Sequence, residues 1–285
     1  MTKPQKWLVK AMPSFREIYF ELKKENENFT DEVIFSLLED ISGLKRTDII
    51  INFDSQINNV DKYNKLKIRL LNGEPYQYAL GYTYFLGNKF YVNENVLIPR
   101  QETEQLVLEI EGFLSKNPLF SHNNILDICS GSGVIGISLS KRLNVSVDLS
   151  DISDKANGVA KQNSILNKTN VNIYLSDMFN DLPEKKYDII VSNPPYIKSE
   201  ETVDKATLKY EPHLALFALP QTYFYEDIFK NKDRFLNSSF LLAFEIGEDM
   251  EDSLKELIAK YFKNVDYIFK KDLYNKTRFL FIWKI

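Results

Sequence analysis

After Asn124 the chain alternates between short apolar runs rich in β-branched residues and segments with helical periodicity. Seven runs are predicted as strands, at 125–129, 145–149, 173–175, 189–191, 240–246, 265–269 and 279–283. Helices are predicted between them at 134–143, 154–167 and 250–262. Such alternation produces a parallel sheet with right-handed crossovers and helices on both faces. The predicted class is therefore α/β, with a mostly parallel seven-stranded sheet, and the closeness of the final two runs favours an antiparallel last strand.

The earlier part of the chain has a different pattern. Between residues 14 and 71 apolar residues recur at helical spacing, and Thr30 before two acids is a suitable helix N-cap. Aromatic and β-branched residues around Gly87 and Asn88 predict a β-hairpin with a Gly-Asn turn. A chain of 285 residues is long enough for about two domains. We therefore expect a helical domain over 1–75, a β-hairpin linker over 76–98 and an α/β domain over 99–285.

The charge balance and the cysteine count exclude several classes of protein. With 36 basic and 40 acidic side chains the net charge is −4, which argues against a basic nucleic-acid binder. One cysteine forms no intrachain disulfide, and one cysteine with two histidines is too few for a Cys/His zinc site, so no metal is expected. Residues 1–10 lack the apolar core of a signal peptide, and no apolar run approaches the length of a membrane span. We expect a cytoplasmic protein without a membrane partner.

A glycine-rich turn follows the first predicted strand of the sheet and opens the next helix. Gly131 and Gly133 let the backbone turn sharply and approach a ligand, and the helix N-terminus presents free N–H groups. With Gly136 the turn also matches the dinucleotide pattern G-x-G-x-x-G, which alone is weakly specific. Asp127 favours another ligand, because a carboxylate there attracts an ammonium or sulfonium group and repels a pyrophosphate. The alternative interpretation is an ordinary tight βα turn.

Two further acids follow the next two strands. Asp151 lies about 20 residues after the turn, where a carboxylate accepts both hydroxyls of a ribose. Asp177 follows the third strand, where it can accept from an adenine amino group, with Met178 beside the ring. Ligands bind at the carboxyl ends of the strands in such sheets, so the set predicts a site for a ribose and an adenine. The alternative is that these aspartates are helix caps.

The segment Asn193-Pro194-Pro195-Tyr196 directly follows the fourth predicted strand. Two consecutive prolines cannot continue a strand ladder, so the chain leaves the sheet in a rigid, extended form. The Asn193 side-chain carbonyl and the Pro194 backbone carbonyl can both accept from one planar –NH2 group, on which Tyr196 can stack. Such positioning can supply several kcal/mol of a barrier, about 7–11 at its limit. These four residues are the predicted catalytic set; an ordinary loop with a packed aromatic is the alternative.

Together these motifs resemble class I S-adenosylmethionine-dependent amino methyltransferases. Four segments resemble the release factor glutamine methyltransferases more narrowly: Gly-Glu-Pro-Tyr-Gln-Tyr-Ala-Leu-Gly at 73–81, Val-Leu-Ile-Pro-Arg-Gln-Glu-Thr-Glu at 96–104, Tyr-Glu-Pro-His-Leu-Ala-Leu at 210–216 and Phe-Glu-Ile-Gly at 244–247. Over residues 1–72 only the length and the helical character agree. The resemblance implies a Rossmann-like methyltransferase sheet. It also implies methyl transfer to the side-chain nitrogen of the glutamine in the Gly-Gly-Gln motif of class I peptide chain release factors.

The resemblance further implies a cofactor, S-adenosyl-L-methionine, and a product, S-adenosyl-L-homocysteine. The expected cofactor-binding residues, including the acids argued above, are Asp127, Cys129, Ser130, Gly131, Ser132, Gly133, Asp151, Asp177, Met178 and Asn193. The helical domain would contact the release factor away from the active site, and a monomer is expected. Two features depart from the family: Cys129 stands where glycine is usual, and the segment 217–223 lacks a glycine-rich stretch. Neither change removes a group that the chemistry needs.

Two rival functions stay open at this point. A DNA adenine or RNA amino-methyltransferase would also use the Asn-Pro-Pro-Tyr segment, but it would need a flipped-base pocket and a basic groove. A non-catalytic module that docks on a translation factor would need neither motif. Arg100, Glu102 and Glu104 either line a substrate entrance or form a helix N-terminus with its salt-bridge partner. Glu245 is a candidate for substrate orientation.

Overall fold

The computed structural model describes residues 12–25 and 29–285. Residues 1–10, on which the expected lack of a signal peptide depends, lie outside the described residues. The chain divides into two compact units, Met1–Leu80 and Gly81–Ile285. Within the described ranges no helix is both long and apolar enough to cross a membrane. The same ranges contain no group of three or more His, Cys, Asp or Glu residues that could hold a metal ion.

The first unit is helical. Its helices are α1 (Phe15–Glu25), α2 (Asp31–Ser42), α3 (Arg46–Ile51), α4 (Val60–Leu71) and α5 (Tyr76–Leu80). The Thr30 hydroxyl caps α2 by accepting from the Val33 N–H, as its sequence position suggests. Apolar residues of all five helices meet in one core, with Ile18 of α1, Leu38 of α2 and Leu66 of α4 among its members.

The segment predicted as a linker is shared between the two units. Its first residues form α5, whose Ala79 is buried in the helical core. Strands β1 (Tyr82–Phe85) and β2 (Asn88–Tyr91) then form an antiparallel hairpin. Phe85 and Phe90 are buried in the core of the second unit, so the hairpin is part of that unit rather than a free connection.

The hairpin turn consists of Leu86 and Gly87, so the predicted Gly-Asn turn is wrong by one residue. Both turn residues have positive φ, 47° and 74°, as the tight turns of hairpins require. Two hydrogen bonds hold Leu86 in this conformation. Its N–H donates to Glu104 Oε1 at 2.7 Å, and its carbonyl accepts from the Asn88 amide at 3.0 Å. Because these partners compensate the unfavourable φ of a leucine, the turn forms one residue earlier.

The second unit is built on a seven-stranded sheet. After the hairpin come β3 (Ile125–Ile128), β4 (Val147–Asp151), β5 (Val171–Leu175), β6 (Tyr187–Ser192), β7 (Leu236–Glu245), β8 (Asp266–Lys271) and β9 (Thr277–Lys284). Their order is β5-β4-β3-β6-β7-β9-β8, and β9 runs antiparallel to both of its neighbours. Strands β3 and β6 are buried throughout, which explains their apolar sequences. The predicted α/β class with an antiparallel last strand is confirmed.

Helices cover both faces of this sheet. They are α6 (Gln101–Lys116), α7 (Val134–Leu143), α8 (Asp154–Asn167), α9 (Lys205–Tyr210), α10 (Tyr223–Lys230), α11 (Lys232–Phe235) and α12 (Glu251–Tyr261). Residues of α6, α7 and α8 share one core with the hairpin, whereas α10, α11 and α12 contribute to the core on the other face. The sequence does not predict α9, α10 and α11, because helices of 6, 8 and 4 residues are too short to show periodicity.

The strand order opens a crevice at the carboxyl end of β3. Strand β4 pairs with β3 on one side and β6 pairs with it on the other, so the chain crosses the sheet between β5 and β6. The loops that follow these strands diverge at such a switch point, and ligands bind between them. The glycine turn follows β3, Asp151 ends β4, and the Asn-Pro-Pro-Tyr segment follows β6.

Candidate active site

A cavity of about 250 Å³ lies at this crevice. Many of the predicted site residues line it: Cys129, Ser130, Gly131, Ser132, Asp151, Asp177, Met178, Asn193 and Pro195. Asp127, Gly133, Pro194 and Tyr196 belong to the same segments but are not among its lining residues. Leu97, Pro99, Leu214 and Phe224 add apolar walls that sequence reasoning missed. The cavity therefore combines polar strand ends with an apolar enclosure.

The glycine turn is held by backbone hydrogen bonds. The Ser130 N–H donates to the Ser150 carbonyl at 3.0 Å, and the Gly133 N–H donates to the Ser130 carbonyl at 2.7 Å. Gly133 has a φ of +77°, and a Cβ there would lie 2.9 Å from Ile137 Cδ1 and 3.2 Å from Ala160 Cβ. Glycine is thus required at this position both for its backbone conformation and for the close packing of α7 against α8.

Asp127 is completely buried beneath the start of α7. Its Oδ2 accepts from the Gly136 N–H at 2.8 Å, whereas its Oδ1 is buried without a hydrogen-bond partner among the described residues. Burial raises the pKa of Asp127 to about 7, opposed by the Gly136 hydrogen bond and assisted by the negative charge of Asp151. A Cβ at Gly136 would meet Leu149 Cδ2 at 2.2 Å, so packing explains this glycine without a dinucleotide ligand.

Asp151 lies at the rim of β4 with both carboxylate oxygens engaged. Oδ2 accepts from the Gly131 N–H at 2.8 Å and Oδ1 from the Ser153 N–H at 2.9 Å. Burial raises the pKa of Asp151, and these backbone donors oppose that rise. Each oxygen keeps a further lone pair, so the carboxylate can still accept from two ligand hydroxyls. The Asp151 contacts also fix the glycine turn relative to β4.

Two hydroxyl groups at the cavity lack partners. The Oγ atoms of Ser130 and Ser150 are buried and make no hydrogen bond within residues 12–25 and 29–285. Buried polar atoms are normally satisfied, so unpaired hydroxyls beside a cavity indicate a polar ligand or ordered water there. On the far side, Asp177 is exposed and Met178 is buried. The polarity and charge of the cavity therefore suit a ligand with hydroxyl and cationic groups.

Cys129 begins the glycine turn in a left-handed backbone conformation. Its φ is +60°, a value that favours glycine and is strained for a residue with a Cβ. Its Sγ lies 3.9 Å from Met178 Sδ, and burial raises the pKa of the thiol further above its usual range. The side chain thus behaves as a small apolar group that closes the cavity against Met178. The backbone position explains why glycine would suit this site.

The raised thiol pKa has a simple chemical consequence. Because the thiolate is the reactive form, we expect Cys129 to react with a disulfide reagent such as DTNB at pH 8 at least about tenfold more slowly than cysteine in an unstructured peptide. The chain has a single cysteine, so the released chromophore reports this site alone. The urea-unfolded protein is the control and should react at the ordinary rate. A native rate equal to the peptide rate would contradict the burial of this thiol.

The Asn-Pro-Pro-Tyr segment is held in place by the chain that follows it. The Ile197 N–H donates to the Leu216 carbonyl at 2.9 Å, and the Ala218 N–H donates to the Ile197 carbonyl at 3.0 Å. The Gln221 amide donates to the Tyr196 carbonyl at 2.9 Å. Sequence reasoning did not identify these partners. The glycine-poor segment 217–223 therefore braces the predicted catalytic segment directly.

Side chains behind this segment form a hydrogen-bonded network. The Asn193 Nδ2 donates to Thr103 Oγ1 at 3.2 Å, and the Thr103 hydroxyl donates to Glu245 Oε2 at 2.7 Å. The Tyr196 hydroxyl donates to Glu245 Oε1 at 3.2 Å. Thr103 lines the cavity, and Thr103 and Glu245 are each only 3% exposed. Glu245, for which the sequence left a role open, contacts the predicted catalytic segment through Tyr196.

Arg100 joins two walls of the cavity. Its guanidinium pairs with Glu211 Oε1 at 2.5 Å, and Glu211 Oε2 accepts from the Ile98 N–H at 3.1 Å. The interpretation of Arg100 as a salt-bridge partner of Glu102 and Glu104 is therefore wrong, although both acids do lie in the first turn of α6. Sequence reasoning missed Glu211, whose only signal was its place in the Tyr-Glu-Pro segment.

Comparisons with known proteins agree with this geometry. Residues 110–210 match the methyltransferase small domain family. The chain is 40% identical over 268 residues to a release factor glutamine methyltransferase of Flavobacterium psychrophilum. This match covers 90% of this chain and 92% of that protein. It is 35% identical over 257 residues to a protein of the same name from Leptospira interrogans, over 86% of this chain and 88% of that protein.

Among solved structures, a methyltransferase from Pyrococcus furiosus is similar in fold, with a TM-score of 0.52 and 19% sequence identity. The match covers 76% of this chain and 97% of that one. At this identity the similarity supports the fold alone. The sequence relatives are decisive, because they match nearly the full length of both chains. This chain belongs to the release factor glutamine methyltransferase family.

Proposed function

We propose that this chain transfers a methyl group from S-adenosyl-L-methionine to the side-chain amide nitrogen (N5) of the glutamine in the Gly-Gly-Gln motif of class I peptide chain release factors, and so tunes translation termination. The observation that carries the proposal is the meeting of Asn193 with the strand-end residues of β3 and β4 at one cavity. The names of the two relatives support the identity of the substrate.

The residues at the cavity suit S-adenosyl-L-methionine. When bound, this cofactor supplies an electrophilic methyl group on a sulfonium centre. Asp127 lies one residue before the lining residue Ile128, and its carboxylate offers a buried negative charge and an unpaired oxygen that can attract the cationic cofactor. Asp151 can accept from the ribose hydroxyls through its remaining lone pairs, and Asp177 with Met178 is placed for the adenine. The product, S-adenosyl-L-homocysteine, lacks the sulfonium charge, which weakens its attraction to these acids.

Asn193 and Pro194 are proposed to orient the substrate amide. An amide nitrogen is a poor nucleophile because its lone pair is delocalised into the carbonyl group. Two carbonyl acceptors, the Asn193 side chain and the Pro194 backbone, can hold both N–H groups and direct the nitrogen at the methyl group. Pro195 and the braced residue Tyr196 keep this segment rigid. No base is needed before attack, because the proton can leave to solvent afterwards.

The helical unit is proposed to bind the release factor away from the active site. Its helix α4 carries the basic residues Lys62, Lys65, Lys67 and Arg69. Several of these form ion pairs within the unit, such as Lys67 with Glu21 at 2.6 Å. The single cysteine and the release factor substrate support a cytoplasmic location, and we propose a monomer as the working form.

Incubation with labelled S-adenosyl-L-methionine and either purified release factor or DNA tests the proposed function. We expect label on the release factor and none on DNA, because an overall net charge of −4 does not favour binding to a nucleic acid. A release factor in which the motif glutamine is replaced by alanine is the matched control and should stay unlabelled. Label on DNA with none on the release factor would overturn the proposal in favour of an adenine methyltransferase.

A further inference from the structure

We propose that Thr103 and Glu245 are positioning residues that lock the Asn193 amide with its nitrogen turned away from the substrate and its oxygen free to accept. The inference rests on the proposed function, in which that oxygen holds the substrate amide. Both residues lie far from Asn193 in the sequence, 90 residues away for Thr103, yet both join it through hydrogen bonds. Neither residue is among the predicted catalytic set.

The direction of the hydrogen bonds follows from the chemistry of the three groups. A carboxylate accepts only, so the single proton of the Thr103 hydroxyl is donated to Glu245 Oε2, 2.7 Å away. The Thr103 oxygen has no further proton to donate, so it can only accept a hydrogen bond from its other neighbours. The Asn193 group facing it at 3.2 Å must therefore be the donor, its NH2. The amide oxygen consequently points in the other direction.

Glu245, the last acceptor in this series of hydrogen bonds, is itself held in place by further contacts. Its second oxygen accepts from the Tyr196 hydroxyl at 3.2 Å, and its backbone carbonyl accepts from the Tyr225 hydroxyl at 2.8 Å. Burial raises the pKa of Glu245, and the hydrogen bonds from Thr103 and Tyr196 together with the nearby Arg278 guanidinium oppose that rise by favouring the ionised carboxylate. The network thus connects α6, β7 and the segment after β6, and the same carboxylate orients both Asn193 and Tyr196.

Loss of the negative charge of Glu245 would allow the side-chain amide of Asn193 to rotate. A glutamine at position 245 can donate to Thr103, whose hydroxyl can then donate to the Asn193 oxygen. That reversal would engage the oxygen that the substrate needs. A valine at position 103 has nearly the shape of threonine but cannot accept a hydrogen bond from Asn193. The Asn193 amide then loses the acceptor that fixes its orientation. A serine keeps the hydroxyl and should preserve the orientation.

Steady-state methylation of a release factor by four variants tests the inference. For Thr103→Val and Glu245→Gln we expect kcat to fall about 10–100-fold, with the Kd for S-adenosyl-L-methionine changed less than threefold. Thr103→Ser should stay within threefold of the wild-type kcat. Ser140→Ala is the matched control, because it removes another buried hydroxyl. The Ser140 hydroxyl donates to the Val145 carbonyl over 2.7 Å, and Ser140 does not line the cavity. This substitution should lower stability without lowering kcat.

A second readout does not depend on turnover. The side-chain amide signal of Asn193 in an NMR spectrum, assigned by its absence in Asn193→Ala, should shift in Thr103→Val and Glu245→Gln but not in Thr103→Ser. Active wild-type protein together with an unchanged kcat in Thr103→Val would overturn the inference and leave the proposed function standing. A wild-type protein that methylates no release factor would instead refute the proposed function and the inference with it.

Discussion

Replacement of Asn193 by alanine is expected to lower the rate of methyl transfer to the release factor by at least about 10³-fold, effectively abolishing it. The variant loses the side-chain oxygen that holds the substrate amide, and the Pro194 carbonyl alone cannot fix the direction of the nitrogen. Cofactor binding should weaken only several-fold, because the glycine turn, Asp151 and Asp177 still line the cavity. The fold should persist, since Asn193 is only half-buried and makes one side-chain hydrogen bond.

Single-turnover transfer from labelled cofactor measures this rate, and calorimetry measures cofactor affinity in the same preparation. Asn172→Ala is the matched control, because Asn172 lies on β5 of the same sheet and its amide donates to Asp148 at 2.7 Å, away from the cavity. The control should transfer methyl groups at close to the wild-type rate. Retention of more than one-tenth of the wild-type rate by Asn193→Ala would show that the acceptor is not essential.

The sequence was sufficient to predict those residues of the candidate site that lie at the carboxyl ends of strands. Cys129, Asp151 and Asn193 are distant in sequence, but each lies at the carboxyl end of one of three neighbouring parallel strands. Topology then brings such residues to one edge, so the order of strands is sufficient to place them together. The predicted sheet and its antiparallel last strand follow from the same local patterns of apolar residues.

The supporting contacts could not be predicted in this way. Glu211 pairs with Arg100 across 111 residues, and Thr103 meets Glu245 across 142 residues, from elements with no shared pattern. Such partners are chosen by the packing of helices on the sheet, which single-sequence periodicity does not contain. The hairpin turn shows the same limit at short range. Turn rules favour Gly-Asn, but the contact between the Leu86 N–H and Glu104 depends on α6.

Asp127→Asn should raise the stability of the cofactor-free protein at pH 8 by roughly 1–3 kcal/mol. Burial raises the pKa of Asp127 to about 7, so the folded protein binds this proton more tightly than the unfolded chain does. The protonated carboxyl therefore favours folding below about pH 4, and that contribution is lost as the pH rises through about 7. Asparagine is neutral throughout and can still accept from the Gly136 N–H. Its advantage should thus grow between pH 4 and 7 and then level off.

The same substitution should weaken binding of S-adenosyl-L-methionine about tenfold at pH 8, because the carboxylate that attracts the cationic cofactor is gone. Urea unfolding at pH 5 and pH 8, with and without cofactor, measures both effects. At a cofactor concentration well above both Kd values, the cofactor should stabilise the wild type by about 1.4 kcal/mol more than the variant.

Asp148→Asn provides the matched control for this pair of effects, since Asp148 is also buried and lies beside β3 on β4, paired with Leu126 in the sheet. Its carboxylate is satisfied by Lys185 at 2.9 Å and by the Tyr187 hydroxyl at 3.0 Å. Loss of a paired buried charge should destabilise the protein and leave cofactor affinity unchanged. Two buried aspartates on adjacent strands are thus expected to respond in opposite directions, because only Asp127 keeps a carboxylate oxygen without a partner in the described protein. If Asp127→Asn instead destabilised the protein at pH 8 and bound cofactor normally, Asp127 would be a structural acid like Asp148.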